Sequence, residues 1–414
     1  MEQRVVVTGI GVLASKEMDT ESFWNNVKEG KSSVEKLKTI NTEGLPSQIG
    51  AELKSFDPLN FIERRQAKRM DRYAQLSAAS AAIAFYDSEI KSSSFKSECI
   101  GVFEGTSLGP LAGTLNCHRA YVLNECSGIH PYLLISSMIG AGSGFISMSL
   151  GLHGPSTTIS EGSVSSACAV GYAFRQIKSG ILDAALAGGA EAPISREIIE
   201  AFCSARLLSL NNEKPSCAVK PFDMNRDGFV LSEGAAFLFL ESLEHALNRG
   251  AKIYAEVTGF GETSDAFHPT SQNSEGIYIV QAMRSALMEA RLQPSDIQYL
   301  NAHGTATKMN DVVEAKAIKT IFPEEENNLL VSSTKSITGH LLGACGAIES
   351  IITVLAIKNQ FVPGNISLQN PDPGCDIKSL PVEGVPKEIK NAVNNNYSFG
   401  GRNTSLIFSS FKVL

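Results

Sequence analysis

Val7-Thr8-Gly9-Ile10-Gly11 recurs as Val257-Thr258-Gly259-Phe260-Gly261, 250 residues further on, and each copy reads as the end of a β-strand. A pentapeptide repeated at that spacing in a chain of 414 residues suggests one fold laid down twice, with the halves meeting near Gly250. The expected units are residues 1–250 and 251–414, and no Pro- or Ser-rich linker divides them. Outward from the repeat, short β-rich runs beginning near Val5, Cys99, Ala184, Ala236, Tyr254, Gln298, Leu329 and Leu406 alternate with helical patterns. The helices are expected to begin near Ala74, Val164, Ile277, Asp311 and Leu342. Alternation of this kind predicts an α/β protein with buried sheets between helical layers.

Hydrophobic residues make up 43% of the chain and charged residues 19%, which supplies a sizeable core and excludes the disordered class. The 43 acidic against 36 basic residues give a net charge of −7, so no global field draws the protein to nucleic acid or an anionic membrane. Eight cysteines are scattered without C-x-x-C spacing, and the start runs straight into Val5-Val6-Val7 with no secretory pattern. Reduced thiols in a cytoplasmic protein are expected. Tyr132 to Leu152 carries no charge over 21 residues, but Ser and Gly fill nine of them and no Lys or Arg flanks it closely. A buried helix packed closely against another chain or layer is expected there, not a membrane span.

Two local patterns are set aside. Gly9-Ile10-Gly11-Val12-Leu13-Ala14 fits a dinucleotide fingerprint, but the nearest acidic candidate, Glu29, falls in a helical stretch, and a tight strand-to-loop turn is the better reading. Asp223-Met224-Asn225-Arg226-Asp227-Gly228 begins like a calcium loop, but Gly234 occupies the position that needs a bidentate Glu. No His/Cys group shows zinc spacing, so no metal site is expected.

Chemistry concentrates in four loops. Asn301-Ala302-His303-Gly304-Thr305-Ala306-Thr307 puts an imidazole and two hydroxyls after one strand, and Ser333-Thr334-Lys335-Ser336-Ile337-Thr338-Gly339-His340 follows the next strand. Tyr397-Ser398-Phe399-Gly400-Gly401-Arg402-Asn403 precedes the last strand. In Ser160-Glu161-Gly162-Ser163-Val164-Ser165, a short strand passes into a helix, so Ser163 is either a helix cap or a catalytic residue, a nucleophile that gains from helix-terminal N–H groups.

With these segments in view the chain resembles the β-ketoacyl-carrier-protein synthases, condensing enzymes of thiolase fold, over essentially its whole length. The resemblance implies a thiolase-like duplicated five-layer α/β/α/β/α fold, usually homodimeric. It also implies catalytic roles for His303, His340 and Lys335, pocket roles for Asp311 and Glu349, a gating Phe399, and pantetheine contacts from Thr305 and Thr307. Where the family carries its nucleophilic cysteine this chain has Ser163, with Glu161 and Gly162 before it, and Cys168 lies more than a helical turn away. A serine hydroxyl ionises far less readily than a thiol and needs an oriented base, whereas two imidazoles suffice to receive an enolate.

That combination is similar to the decarboxylating ketosynthases of polyketide β-branching cassettes. It implies conversion of malonyl-S-carrier protein to acetyl-S-carrier protein, without condensation, in polyketide (antibiotic) biosynthesis. The substrate would ride on the phosphopantetheine of an acyl carrier protein with no further cofactor, and an HMG-synthase-like enzyme would be a pathway partner. The alternative is a chain-length-factor-like, non-catalytic partner of a ketosynthase in a type II polyketide synthase. Carrier docking is expected on a basic stripe of Arg64, Arg65, Lys68, Arg69 and Arg72, continuous if residues 61–73 are helical, together with Arg206.

Overall fold

In the computed structural model, which describes residues 2–91, 95–124, 129–323 and 328–411, Val5-Val6-Val7 opens a strand that does not stop at the glycines. Strand β1 (Val5–Leu13) runs through Gly9 and Gly11 with every residue buried. The glycines are needed because helix Arg72–Asp87 lies directly on them. A Cβ at Gly9 or Gly11 would strike the backbone carbonyl oxygens of Ala84 and Ser80. The second copy repeats the device: Gly259 and Gly261 sit inside a strand against the carbonyls of Ala286 and Ala282 in helix Ile277–Ala290. The pentapeptide therefore marks close helix-on-sheet packing, and the expected strand-to-loop turn is corrected.

Besides two small two-stranded sheets, the strands that join β1 are β2 (Ile100–Gly105), β3 (Ser156–Ile159), β4 (Ala184–Glu191), β5 (Gly234–Ser242), β6 (Ala255–Ser264), β7 (Tyr299–Asn301), β8 (Leu330–Ser332), β9 (Asn391–Ser398) and β10 (Arg402–Ser409). They form one sheet in the order β8-β7-β9-β10-β6-β1-β5-β4-β2-β3. From β1 outward the pairings are antiparallel, antiparallel, parallel, parallel, and from β6 outward they are the same. The halves join antiparallel, Val5 opposite Val257 and Val7 opposite Ala255.

Helices Ser165–Lys178 and Cys345–Asn359 pack on each other and touch strands of both halves, while Arg72–Asp87 and Ile277–Ala290 cover the outer faces. This is the thiolase-like layering, with a buried helix pair at its centre. The segment Leu342–Asn359 is long and apolar enough to cross a membrane, but 89% of it is buried in this core.

Two expectations change. Residues 132–152 do not form one buried helix. Two short helices, Leu133–Ser136 and Ala141–Leu150, leave an apolar face exposed, with Leu134 82% and Met138 62% accessible. This face lies in the same half as β3, one of the two edge strands of the sheet. The basic stripe is also broken, because Arg64–Ala67 is a single turn and Asp71 then caps a new helix through the Tyr73 N–H. Arg69 lies over the Tyr132 ring and Arg72 forks onto Glu233, which leaves Arg64, Arg65 and Lys68 exposed.

Gly261→Ala, which forces a methyl into the Ala282 carbonyl, should lower stability by about 1–3 kcal/mol through overpacking. Gly144→Ala, in a helix with open space at its Cα, should be neutral or stabilise by up to about 1 kcal/mol. Urea denaturation separates the two, and an unchanged Gly261→Ala midpoint would contradict the packing.

Candidate active site

Both halves deliver a strand end and a central helix to one place. In the first, β3 leads into the one-turn 3-10 helix Gly162–Val164 and helix Ser165–Lys178. Gly162 has φ +64, the left-handed region that favours glycine. In the second, β8 leads through Lys335 and His340 to the 3-10 turn Leu342–Ala344 and helix Cys345–Asn359. The loop after β7 brings His303, Thr305 and Thr307, and the end of β9 brings Tyr397 and Ser398, with Phe399 following. Ser163, His303, His340, Thr305, Thr307 and Phe399 line one cavity of about 210 Å³.

The two imidazole rings meet edge to face with centroids 5.7 Å apart. The Leu342 backbone N–H donates to His340 Nδ1 at 3.0 Å, which assigns the remaining proton to Nε2. That Nε2 lies 3.4 Å from Ser163 Oγ. The Lys335 ammonium, a donor only, lies 3.4 Å from His303 Nδ1 and donates to the His303 carbonyl oxygen at 2.6 Å, so His303 likewise carries its proton on Nε2. Burial and then the Lys335 charge hold both imidazoles well below the ordinary histidine range, and His340 adds to the effect on His303. Burial alone would lower Lys335, but the Glu349 carboxylate 2.5 Å away outweighs it and keeps the ammonium. The cavity therefore presents two neutral N–H donors and, among the described residues that line it, no base for Ser163: an Nε2 that already holds a proton cannot take one from a hydroxyl.

Of the expected substrate-contacting residues, Thr305, Thr307 and Phe399 reach the cavity, and the two threonine hydroxyls are 2.9 Å apart. Asp311 and Glu349 do not: both are fully buried behind its wall, as is Lys335. Asp311 accepts the Phe222 N–H at 2.8 Å and faces Arg226, which ties down the Thr307 and Lys308 carbonyls. Glu349 pairs with Lys335 and accepts from Asn396. No surface of these three faces the cavity, and each meets it only through the groups it holds.

Cys168 faces Glu161 and Glu262 at 3.9 and 3.8 Å and lies outside the cavity lining. Glu161, Cys168 and Glu262 bring metal-type ligand atoms together, but Arg402 stands 3.2 Å from Glu161 and already supplies a positive charge. Arg206 is exposed beside Leu207, which lines the cavity. Asp223 accepts the N–H groups of Asn225, Gln369 and Asn370, which makes the calcium-like segment a turn.

Three participants escape a sequence reading. Glu314 accepts the backbone N–H groups of His303 and Gly304, at 2.8 and 2.7 Å, and thereby fixes the loop carrying His303. It lies one helical turn beyond Asp311, the only available hint. The Leu342 N–H has no sequence signal. Ser398 lies within the Tyr397 to Asn403 segment, yet only the fold shows that its hydroxyl accepts the Ser163 N–H at 2.9 Å.

Comparison with known proteins places this geometry. The β-ketoacyl synthase N-terminal domain matches residues 2–246, and the corresponding C-terminal domain matches residues 254–369. A Staphylococcus aureus (strain COL) protein named 3-oxoacyl-[acyl-carrier-protein] synthase 2 is 39% identical over 99% of both chains. A Synechocystis protein of the same name is 37% identical, again over 99% of both. Among solved structures, an ishigamide ketosynthase/chain length factor superposes with a TM-score of 0.94 at 31% identity, covering 100% of each chain. A type II polyketide synthase acyl-carrier protein in complex with its ketosynthase gives 0.90 at 32% identity, also over 100% of each.

Nitrogen NMR of labelled histidines should find both buried rings neutral and protonated at Nε2 as pH falls from about 8 to about 6, where an ordinary histidine would charge. A ring titrating near its usual pKa would overturn the donor assignment.

Proposed function

The chain belongs to the β-ketoacyl synthase family, and on that premise we propose that it decarboxylates malonyl-S-carrier protein to acetyl-S-carrier protein without condensation. One observation carries the reading: His340 Nε2 holds a proton and points at a serine, so the site retains enolate donors beside a group that nothing activates. In the proposed reaction the malonyl carboxylate leaves as CO2 and its bonding pair moves into the thioester, placing negative charge on the carbonyl oxygen. His303 and His340 Nε2–H groups receive that charge, and water then protonates the α-carbon to give acetyl thioester. Thr305 and Thr307 would contact the pantetheine arm, with Phe399 at its side. Lys335 acts through His303, which it holds in the donor tautomer. The substrate's phosphopantetheine supplies the thioester, and the step calls on no other cofactor.

The acyl carrier protein is the proposed partner, met in part by Arg206 beside the cavity and by Arg64, Arg65 and Lys68. A second copy of the chain is proposed to cover the apolar face around Leu134 and Met138, making a homodimer in the cytoplasm. A pathway partner resembling HMG synthase belongs to the same reading, as does polyketide biosynthesis. A chain-length-factor-like role is the alternative, and the exposed apolar face would serve it equally well. The complete pair of neutral donors favours the enzyme, since a scaffold subunit has no use for them.

Purified protein incubated with malonyl-carrier protein should yield acetyl-carrier protein by intact mass, and His303→Ala or His340→Ala should each cut kcat by roughly 10²- to 10³-fold. No CO2 release above background from the native protein would end the proposal. Arg206→Glu should raise KM for the carrier-bound substrate, less so at high salt. In the same preparation light scattering should give the mass of two chains. An unchanged KM removes Arg206 from the docking surface, and a monomer removes the homodimer.

A further inference from the structure

The amide N–H of Ser163 belongs to the turn that opens helix Ser165–Lys178, where backbone donors have no intrahelical partner. Both Ser163 and Ser398 line the cavity, and this donor is taken: Ser398 Oγ accepts it at 2.9 Å. The neighbouring residue is fitted to that hydroxyl. A Cβ on Gly162 would collide with Ser398 Oγ, so residue 162 must lack a side chain for Ser398 to stand where it does. Glycine at 162 and serine at 398 thus form a matched pair around one backbone N–H.

Acyl transfer onto residue 163 would need that N–H. The heteroatom of residue 163 bonds to the thioester carbon, and the carbonyl oxygen becomes an oxyanion. The C–S bond then breaks, and the pantetheine sulfur leaves with the proton of the attacking group. The oxyanion of such a step forms beside the attacked carbon, within reach of the nucleophile's own backbone N–H. The imidazoles serve a different oxygen, the enolate of the decarboxylating malonyl group.

We propose that Ser398 bars acyl transfer to position 163 by occupying the Ser163 amide, so that the site has closed one oxyanion station and kept the other. Ser398 is thereby a specificity-determining residue, and a thiol at position 163 alone restores only slow self-acylation. The biological sense of this rests on the decarboxylase reading, but the test below does not.

Ser163→Cys, Ser163→Cys/Ser398→Ala and Ser163→Cys/Ser398→Gly are incubated with hexanoyl-pantetheine, and the acyl adduct is followed by intact mass. A cysteine at the helix start ionises readily, so the nucleophile is adequate in all three. The single variant should acylate slowly, and the double variants roughly 10²-fold faster, the worth of one recovered oxyanion donor. The glycine variant removes the side chain next to Gly162 entirely and serves should the alanine variant lose its fold, which melting curves reveal. Equal rates for the single and either folded double variant would overturn the proposal. Should the native protein release no CO2 while the acylation contrast appears, the decarboxylase reading falls and this one stands.

Discussion

Lys335 has one place to put its charge: fully buried, it lies between Glu349 and the rear of His303. A lone ammonium in such surroundings would shed its proton, and Glu349 prevents this at 2.5 Å. An ammonium so fixed keeps His303 from charging and assigns its proton to the cavity side. The Leu342 N–H does the same for His340 without any charge. Behind the wall, Glu314 under the His303 loop and Asn396 beside Glu349 hold the His303 donor in place. A cavity with two neutral donors stabilises negative charge forming on oxygen, and among the described residues that line it none removes a proton from a hydroxyl.

The duplicated fold explains why such a site can exist. Each half sends a buried helix to the centre, and the turns before them, at Ser163 and at His340 to Leu342, are counterparts that meet at one cavity. Close approach of the layers depends on glycines at matching positions in β1 and β6, which is why the pentapeptide survives as a repeat. The same closeness recurs at the cavity, where a Cβ on Gly162 would strike the Ser398 hydroxyl.

Much of this was legible in the amino acids. His303, Lys335 and His340 follow strands whose apolar runs are plain, so their position at successive strand ends is readable from spacing, while their convergence in one site is what the family resemblance implies. Strand β9 was not legible, because Asn394-Asn395-Asn396 is poor strand sequence. The three side chains are accommodated by buried partners, Gly346 and Ser350 for Asn394, Met283 for Asn395 and Glu349 for Asn396. The basic run from Arg64 to Arg72 reads as one helix until Asp71 is seen to cap a second one. Asp311 and Glu349 stand behind the cavity wall, a depth the sequence does not show, since burial leaves no mark on a polar residue's identity.

What distinguishes the proposed chemistry from that of a condensing enzyme is the fate of the enolate. The most direct measurement supplies malonyl-carrier protein and hexanoyl-carrier protein together and weighs the carrier-bound products. A carbanion stabilised beside an unacylated serine should be quenched by water, giving acetyl-carrier protein alone. A carrier-bound 3-oxo-octanoyl product would mean that residue 163 or another group holds an acyl chain, and would contradict the account.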